Sequence, residues 1–291
     1  MLKDYYALAK PGIVYGNIVL FVGGFALALG QVTAAHASAV PLFVAGLAGL
    51  ALVIASACVF NNYVDRDIDA RMQRTKNRPL AARRIKERNA IAYGTALGIA
   101  GFFTLIAWAN TITVIVILAG FFFYVFAYSL WSKRRTAHAV FIGAIAGAIP
   151  PVAGYTTLIG RLDLGAGILF LVVFLWQLPH FFAISIRRAK DYELAGVPML
   201  TMRFGTKAAK LSMVALIVAF ACAASLLAYF RYADLWFGAV AAVLGFAWAA
   251  VGIGGLWTRD EERWSRDMFV FSLMVIVALF GAMTLEGAWY H

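Results

Sequence analysis

Nine apolar stretches dominate this chain: residues 13–31, 39–60, 89–108, 111–131, 138–159, 164–186, 208–230, 235–257 and 268–289. Each has about the length, roughly 20 residues, that crosses a bilayer as a helix. Hydrocarbon offers no partner to a backbone N–H or C=O, so a spanning segment must satisfy its own, and runs of this length do so as helices. The expected fold is therefore an all-α, polytopic transmembrane bundle of about nine spans, forming a single integral-membrane domain over residues 1–291. Composition closes the alternative: 63% of residues are hydrophobic and only 13% charged, against about 25% charged in soluble domains. The third and fourth stretches are separated only by Ala109 and Asn110, which predicts a tight turn. The opening MLKDYYALAKPG lacks the features of a signal peptide, so the first stretch is expected to remain as a span. Cys58 and Cys222 lie in apolar runs without a CxxC pair and read as small core residues.

The formal net charge of +11 would suit a nucleic-acid partner, but its placement argues against one. Basic residues sit in short segments between spans, as the positive-inside rule requires. With the N-terminus in the cytoplasm, 23 of the 25 Lys and Arg residues fall on the inner side, and only Arg161 and Arg231 outside. Two inner loops, about 65–88 and 187–207, are the longest and most polar. Connections in bundles usually take about 2–8 residues, and longer loops often carry function.

The second span ends in CVFNNYVDRDIDARMQRTKNRPL, residues 58–80. Asn61, Asp65 and Asp69 recur every fourth residue, a step that advances only about 40° around a helix, so all three share one face. Asp67 points away from them. Oxygen ligands on one face at a membrane boundary suit Mg²⁺, or Mn²⁺, which takes one or two carboxylates and completes its shell with water and phosphate. Arg71, Arg74, Lys76 and Arg78 follow. Acids beside a basic cluster point to a polyanion held between metal and arginine, and a diphosphate fits. A cytoplasmic loop rich in charge for orientation alone accounts for the arginines, but not for three aspartates within five residues.

NxxxDxxxD followed by an Arg-rich loop resembles the first signature of the intramembrane, UbiA-type aromatic prenyltransferase superfamily. The longer string NNYVDRDIDARMQRTKNRPL resembles its haem O synthase branch, and the likeness runs from Lys10–Gly12 through the last span. The resemblance implies transfer of a farnesyl group from farnesyl diphosphate to the vinyl group of haem b, which is substrate and not cofactor. It further implies a bacterial inner membrane, an active site facing the cytoplasm, and a product passed to haem A synthase or terminal oxidase assembly proteins. The superfamily carries a second acidic pair, DxxxD, in the loop after the sixth span. Here KDYELAGVPML holds Asp191 but Ala195 four residues on, so one acid of that pair is missing. By the resemblance, Asn61, Asp65, Asp69 and Asp191 hold the metal. Arg74, Arg78, Lys133 and Lys190 contact the diphosphate, Lys190 replacing part of the missing cation charge.

His180 lies inside the sixth span, in WQLPHF, directly after Pro179. The proline removes a helical hydrogen bond and predicts a kink with room beside it. Ionisable residues within spans usually face a cavity or the bundle interior. His180 is then either a haem ligand or a structural histidine bonded to a neighbouring helix. His138 is a weaker ligand candidate, and His36 and His291 are poor ones on the outer side. Pro150 and Pro151 predict a break in the fifth span. YSLWSKRRT, residues 128–136, offers Tyr128 and Lys133 to a diphosphate, or serves as a positive-inside anchor. Two other activities remain open: prenylation of a quinone precursor or chlorophyll-type acceptor, and haem transport without catalysis. Against transport stand the acidic residues, all at loops or span ends, and the lack of an internal repeat.

Overall fold

The computed structural model describes residues 2–32 and 36–289, and among them every regular element is helical. In chain order these are α1 (Leu2–Leu8), α2 (Pro11–Leu29), α3 (His36–Val64), α4 (Arg66–Arg71), α5 (Glu87–Trp108) and α6 (Thr111–Phe122). A widened π-helical segment, Phe123–Ser132, extends α6. There follow α7 (Ala139–Gly147), α8 (Ile149–Ile159), α9 (Leu164–Arg187), α10 (Ala189–Leu194) and α11 (Leu200–Phe204). The last three are α12 (Thr206–Tyr229), α13 (Leu235–Gly254) and α14 (Glu261–Trp289). Nine helical segments among the described residues are long and apolar enough to cross a membrane, and each overlaps one predicted span.

Local chemistry explains the joints. The tight turn at Ala109–Asn110 is present: the Asn110 side chain accepts a hydrogen bond from the Thr113 N–H at 3.0 Å, capping α6. Its amide also donates to the Thr156 carbonyl at 2.7 Å, tying the turn to α8. The fifth span breaks as expected between α7 and α8, with Pro150 in the first turn of α8, where no helical N–H is needed. Pro179 does not interrupt its helix, because α9 continues through it to Arg187.

Close backbone contact joins α2 to α8. A Cβ on Gly24 would lie 2.0 Å from the Pro151 carbonyl oxygen, and one on Gly154 would lie 2.1 Å from that of Phe21. Backbone cannot rotate away as a side chain can, so any larger residue must separate the helices. Gly154→Val is expected to destabilise the fold by about 1–3 kcal/mol or more. Thermal unfolding of the purified protein in detergent checks this, and an unchanged midpoint would show that the close approach is dispensable.

The two long polar loops meet. Ile68 and Met72, from α4 and the residue after it, pack on Ala195 and Val197 beyond α10. This apolar seam sets the acid-bearing end of α3–α4 beside the segment that carries Asp191.

Candidate active site

The acid face survives the junction of α3 and α4. The Asp65 N–H donates to the Asn61 carbonyl at 2.9 Å, and the Asp69 N–H to the Asp65 carbonyl at 2.7 Å. The four-residue hydrogen-bond pattern thus continues, keeping Asn61, Asp65 and Asp69 in line, all three buried. Asp67 stands apart. Its carboxylate is 52% exposed and accepts a fork from Arg134 at 2.8 and 2.6 Å. That pairing holds its pKa below the ordinary carboxylate value.

Each buried ligand candidate already meets a cation. Lys133 Nζ lies 2.5 Å from Asp65 Oδ2, and Arg78 donates to Asp69 Oδ2 at 2.7 Å. Lys10, on the short link between α1 and α2, donates to Asn61 Oδ1. The Asn61 amide in turn donates to Asp65 Oδ2 at 2.9 Å and to Ser129 Oγ at 2.8 Å. Burial, followed by the neighbouring Arg78, pushes the Lys10 ammonium down to about 8. Burial alone would lower Lys133 as well, but Tyr128 and Asp65 reverse this and hold it above the ordinary lysine value.

Asp65 Oδ1 is buried and has no hydrogen-bond partner. An unpaired carboxylate oxygen in such a place is costly unless a cation completes it. The donor set suits a hard ion that keeps most of its shell for water and phosphate, since only Asp65 and Asp69 bring carboxylates to this face. Among the described residues no group of three His, Cys, Asp or Glu side chains forms a metal cage.

The π-helical segment supplies the facing wall. Ser129 Oγ donates to the Tyr124 carbonyl at 2.8 Å, and the Lys133 N–H to the Tyr128 carbonyl at 3.0 Å, each five residues back. This widened turn, a feature frequent at functional sites, carries Ser129 to Asn61 and Lys133 to Asp65. Tyr124 and Tyr128 stack with ring centroids 6.0 Å apart.

A cavity of about 770 Å³ opens beside the π-helical segment, with Tyr124 and Tyr128 in its lining. Arg74, Tyr128 and Lys133 line its polar end together with Arg187, Arg188 and Tyr192, while its other end is walled by apolar side chains of the bundle. The expected residues thus divide. Arg78 is bound to Asp69, while Lys190 is exposed and Asp191 half-buried on α10, neither on the cavity wall. Arg187, Arg188, Lys10, Ser129 and Tyr124 were not expected from the motifs. The arginines are indistinguishable in sequence from other inner-side charges, and only the placement of Lys10 in the KPG stretch hinted at more.

His180 lines the cavity deep in α9. Its ring lies 5.0 Å from that of Trp176 and 4.8 Å from that of Phe269. Nδ1 is 2.7 Å from Ser272 Oγ, and that hydroxyl is 2.6 Å from the Phe269 carbonyl, which can only accept. The serine proton therefore goes to the carbonyl, Nδ1–H donates to the serine, and Nε2 keeps its lone pair. Fixing one ring nitrogen in this way is how metal-binding histidines are usually oriented. His138 is exposed, stacked on Phe141 and off the cavity wall. His291 and the side chain of His36 lie outside the described residues.

Residues 14–289 match the UbiA prenyltransferase family. The chain belongs to that family. It is 43% identical over 286 residues to the protoheme IX farnesyltransferase of Edwardsiella ictaluri, covering 98% of this chain and 95% of that protein. It is 41% identical to protoheme IX farnesyltransferase 2 of Pseudomonas aeruginosa, with the same coverage. Solved UbiA-family structures share its fold. The UbiA homolog from Archaeoglobus fulgidus bound to DMAPP and Mg²⁺ superposes with a TM-score of 0.77 at 17% identity, covering 99% of this chain and all of that one. A digeranylgeranylglyceryl phosphate synthase structure gives 0.76 at 17% identity, with 98% of each chain covered. This UbiA-type fold agrees with the resemblance carried by the NxxxDxxxD segment.

Proposed function

We propose that this integral membrane protein transfers the farnesyl group of farnesyl diphosphate to the vinyl group of haem b, giving haem O. The observation that carries the reading is a single cavity with two chemically different ends. One end is lined by Arg74, Tyr128 and Lys133, the last paired with the buried Asp65, and suits a diphosphate; the other presents an oriented histidine among aromatic rings. Relatives above 40% identity, bearing the name of this reaction along nearly the whole chain, favour haem as the acceptor.

Asp65 and Asp69, with Asn61 beside them and Asp191 from α10, would hold Mg²⁺ or Mn²⁺. The metal supplies positive charge to the departing diphosphate. Lys133, Arg74 and Arg78, with Lys190 from α10 and Tyr128 donating its hydroxyl, neutralise the same oxygens as the allylic C–O bond breaks. Diphosphate leaves with the bonding pair. The terminal vinyl carbon forms the new C–C bond, and water adds at the adjacent carbon and gives up a proton to the departing diphosphate, leaving a hydroxyethylfarnesyl substituent. Apolar walls keep other water from the cationic prenyl carbon.

The one-sided excess of basic residues supports a site on the cytoplasmic side; the reading takes the membrane as a bacterial inner membrane and residues 1–291 as one catalytic domain. Its product would pass to haem A synthase or to terminal oxidase assembly proteins. Membranes containing the protein, supplied with haem b and farnesyl diphosphate, are expected to yield haem O by mass spectrometry together with released diphosphate. Haem binding without diphosphate release would make it a transporter, and farnesylation of a quinone precursor in preference to haem would reassign the acceptor.

The free Nε2 of His180 is assigned to the haem iron. His180→Ala should weaken haem binding on the order of tenfold or more, while farnesyl diphosphate affinity stays unchanged. Spectral titration decides this: a Soret band and haem affinity unaltered in His180→Ala would remove the ligand role. A change in His138→Ala alone would move that role to His138.

A further inference from the structure

Two groups of cations surround the site, and they are not equivalent. Lys10, Lys133 and Arg78 are each engaged with Asn61, Asp65 or Asp69. Arg187 and Arg188, at the inner end of α9, line the cavity without an ion pair among the described residues. Arg187 Nε is buried and lacks any hydrogen-bond partner. Arg187 as a whole is half-buried, and a guanidinium on the cavity wall without a partner in the chain is placed to take an anion from outside it.

The spacing identifies which anion. His180 and Arg187 are seven residues apart in a continuous helix, so they share one face and are separated by about 10 Å along its axis. Ile184, midway on that face, also lines the cavity. A porphyrin whose iron sits on His180 carries its two propionates at one edge, at a comparable distance from the metal. The cations proposed for the diphosphate, Arg74 and Lys133, come from other elements of the cavity lining.

We propose that Arg187, assisted by Arg188, binds the haem propionates. This assignment rests on haem being the acceptor. Holding that edge at the end of α9 fixes the rotation of the macrocycle about the His180–iron axis, and so determines which vinyl group meets the prenyl carbon. The arginines therefore set regiochemistry as well as affinity.

The test compares protohaem IX with its dimethyl ester, whose propionates carry no charge, in wild type, Arg187→Gln and Arg187→Lys. Esterification should weaken binding to the wild type on the order of tenfold or more, the scale of a charge-assisted bidentate contact. Arg187→Gln should lose a similar factor for protohaem and show no further loss with the ester. Arg187→Lys should lie between, and KM for farnesyl diphosphate should not change. Arg187→Gln should also yield a mixture of the two vinyl isomers where the wild type yields one. Because the ester ratio is taken within each variant, a lower yield of folded protein does not affect it. A full ester penalty retained in Arg187→Gln would overturn the proposal, as would a raised KM for farnesyl diphosphate with haem affinity intact. If wild type made no haem O from protohaem and farnesyl diphosphate, the functional reading itself would fall, whatever the arginine variants did.

Discussion

Asp65→Asn is expected to lower farnesyl transfer by about 10²–10³-fold or more, the scale seen when a preorganised electrostatic contact in an active site is removed. Asp65 is fully buried, its Oδ2 is shared by Lys133 and Asn61, and its Oδ1 is unpaired. The substitution replaces a carboxylate oxygen by an NH₂ group. It thereby removes the charge opposite Lys133 and a ligand oxygen together. Asp69→Asn should act alike, because it removes the carboxylate charge that Arg78 pairs with. Asp67→Asn loses an exposed pair with Arg134, and such pairs contribute about 0–1 kcal/mol. Its effect on turnover should be small. Haem O formation per folded, membrane-inserted protein separates these outcomes. Equal damage from Asp67→Asn would refute the shared-face argument, and full activity in Asp65→Asn would remove that carboxylate from the reaction.

How much of this was legible in the sequence depends on which physical constraint acted at each place. The spans were readable because lipid demands a long apolar helix regardless of neighbours. Each of the nine stretches overlaps one of the nine spanning segments among the described residues, the last of which begins earlier than read, at Glu261. The acid face was readable because it follows from helix period alone, and the hydrogen bonds through Asp65 and Asp69 preserve that period. The π-helical segment was not, since FYVFAYSLWS carries no pattern that distinguishes five-residue from four-residue hydrogen bonding. Ser129 and Lys10 therefore went unassigned: what makes them part of the site is a contact with Asn61 from a distant point in the chain. Arg187 and Arg188 were counted only toward orientation, because charge sign says nothing about whether a partner is near. The sixth-span loop was partly legible. Asp191 and Lys190 sit beside the acid-bearing helix through the Ile68–Val197 seam, yet off the cavity wall.

Removal of divalent cations is expected to abolish turnover, with Mg²⁺ or Mn²⁺ restoring it. A diphosphate brings several negative charges to a wall that already holds Asp65 and Asp69. The cations nearest those carboxylates, Lys133 and Arg78, are spent on them in hydrogen bonds of 2.5 and 2.7 Å. Without a further positive charge, substrate and carboxylates would repel each other at close range in a medium that screens poorly. The only ligands this face offers are oxygens, from two aspartates and an asparagine, and oxygen-only sites favour hard cations over zinc or copper. Zn²⁺ should therefore restore little activity at equal concentration. The unpaired Asp65 Oδ1 also predicts how the metal requirement responds to mutation. Asp69→Glu, which keeps the charge but shifts the oxygen, should raise the Mg²⁺ concentration needed for half-maximal rate, with haem affinity unchanged. EDTA titration of the membrane assay with metal content measured by elemental analysis provides the check. Full activity at undetectable metal would take the cation out of the reaction and leave Lys133, Arg74 and Arg78 to bear the leaving-group charge alone.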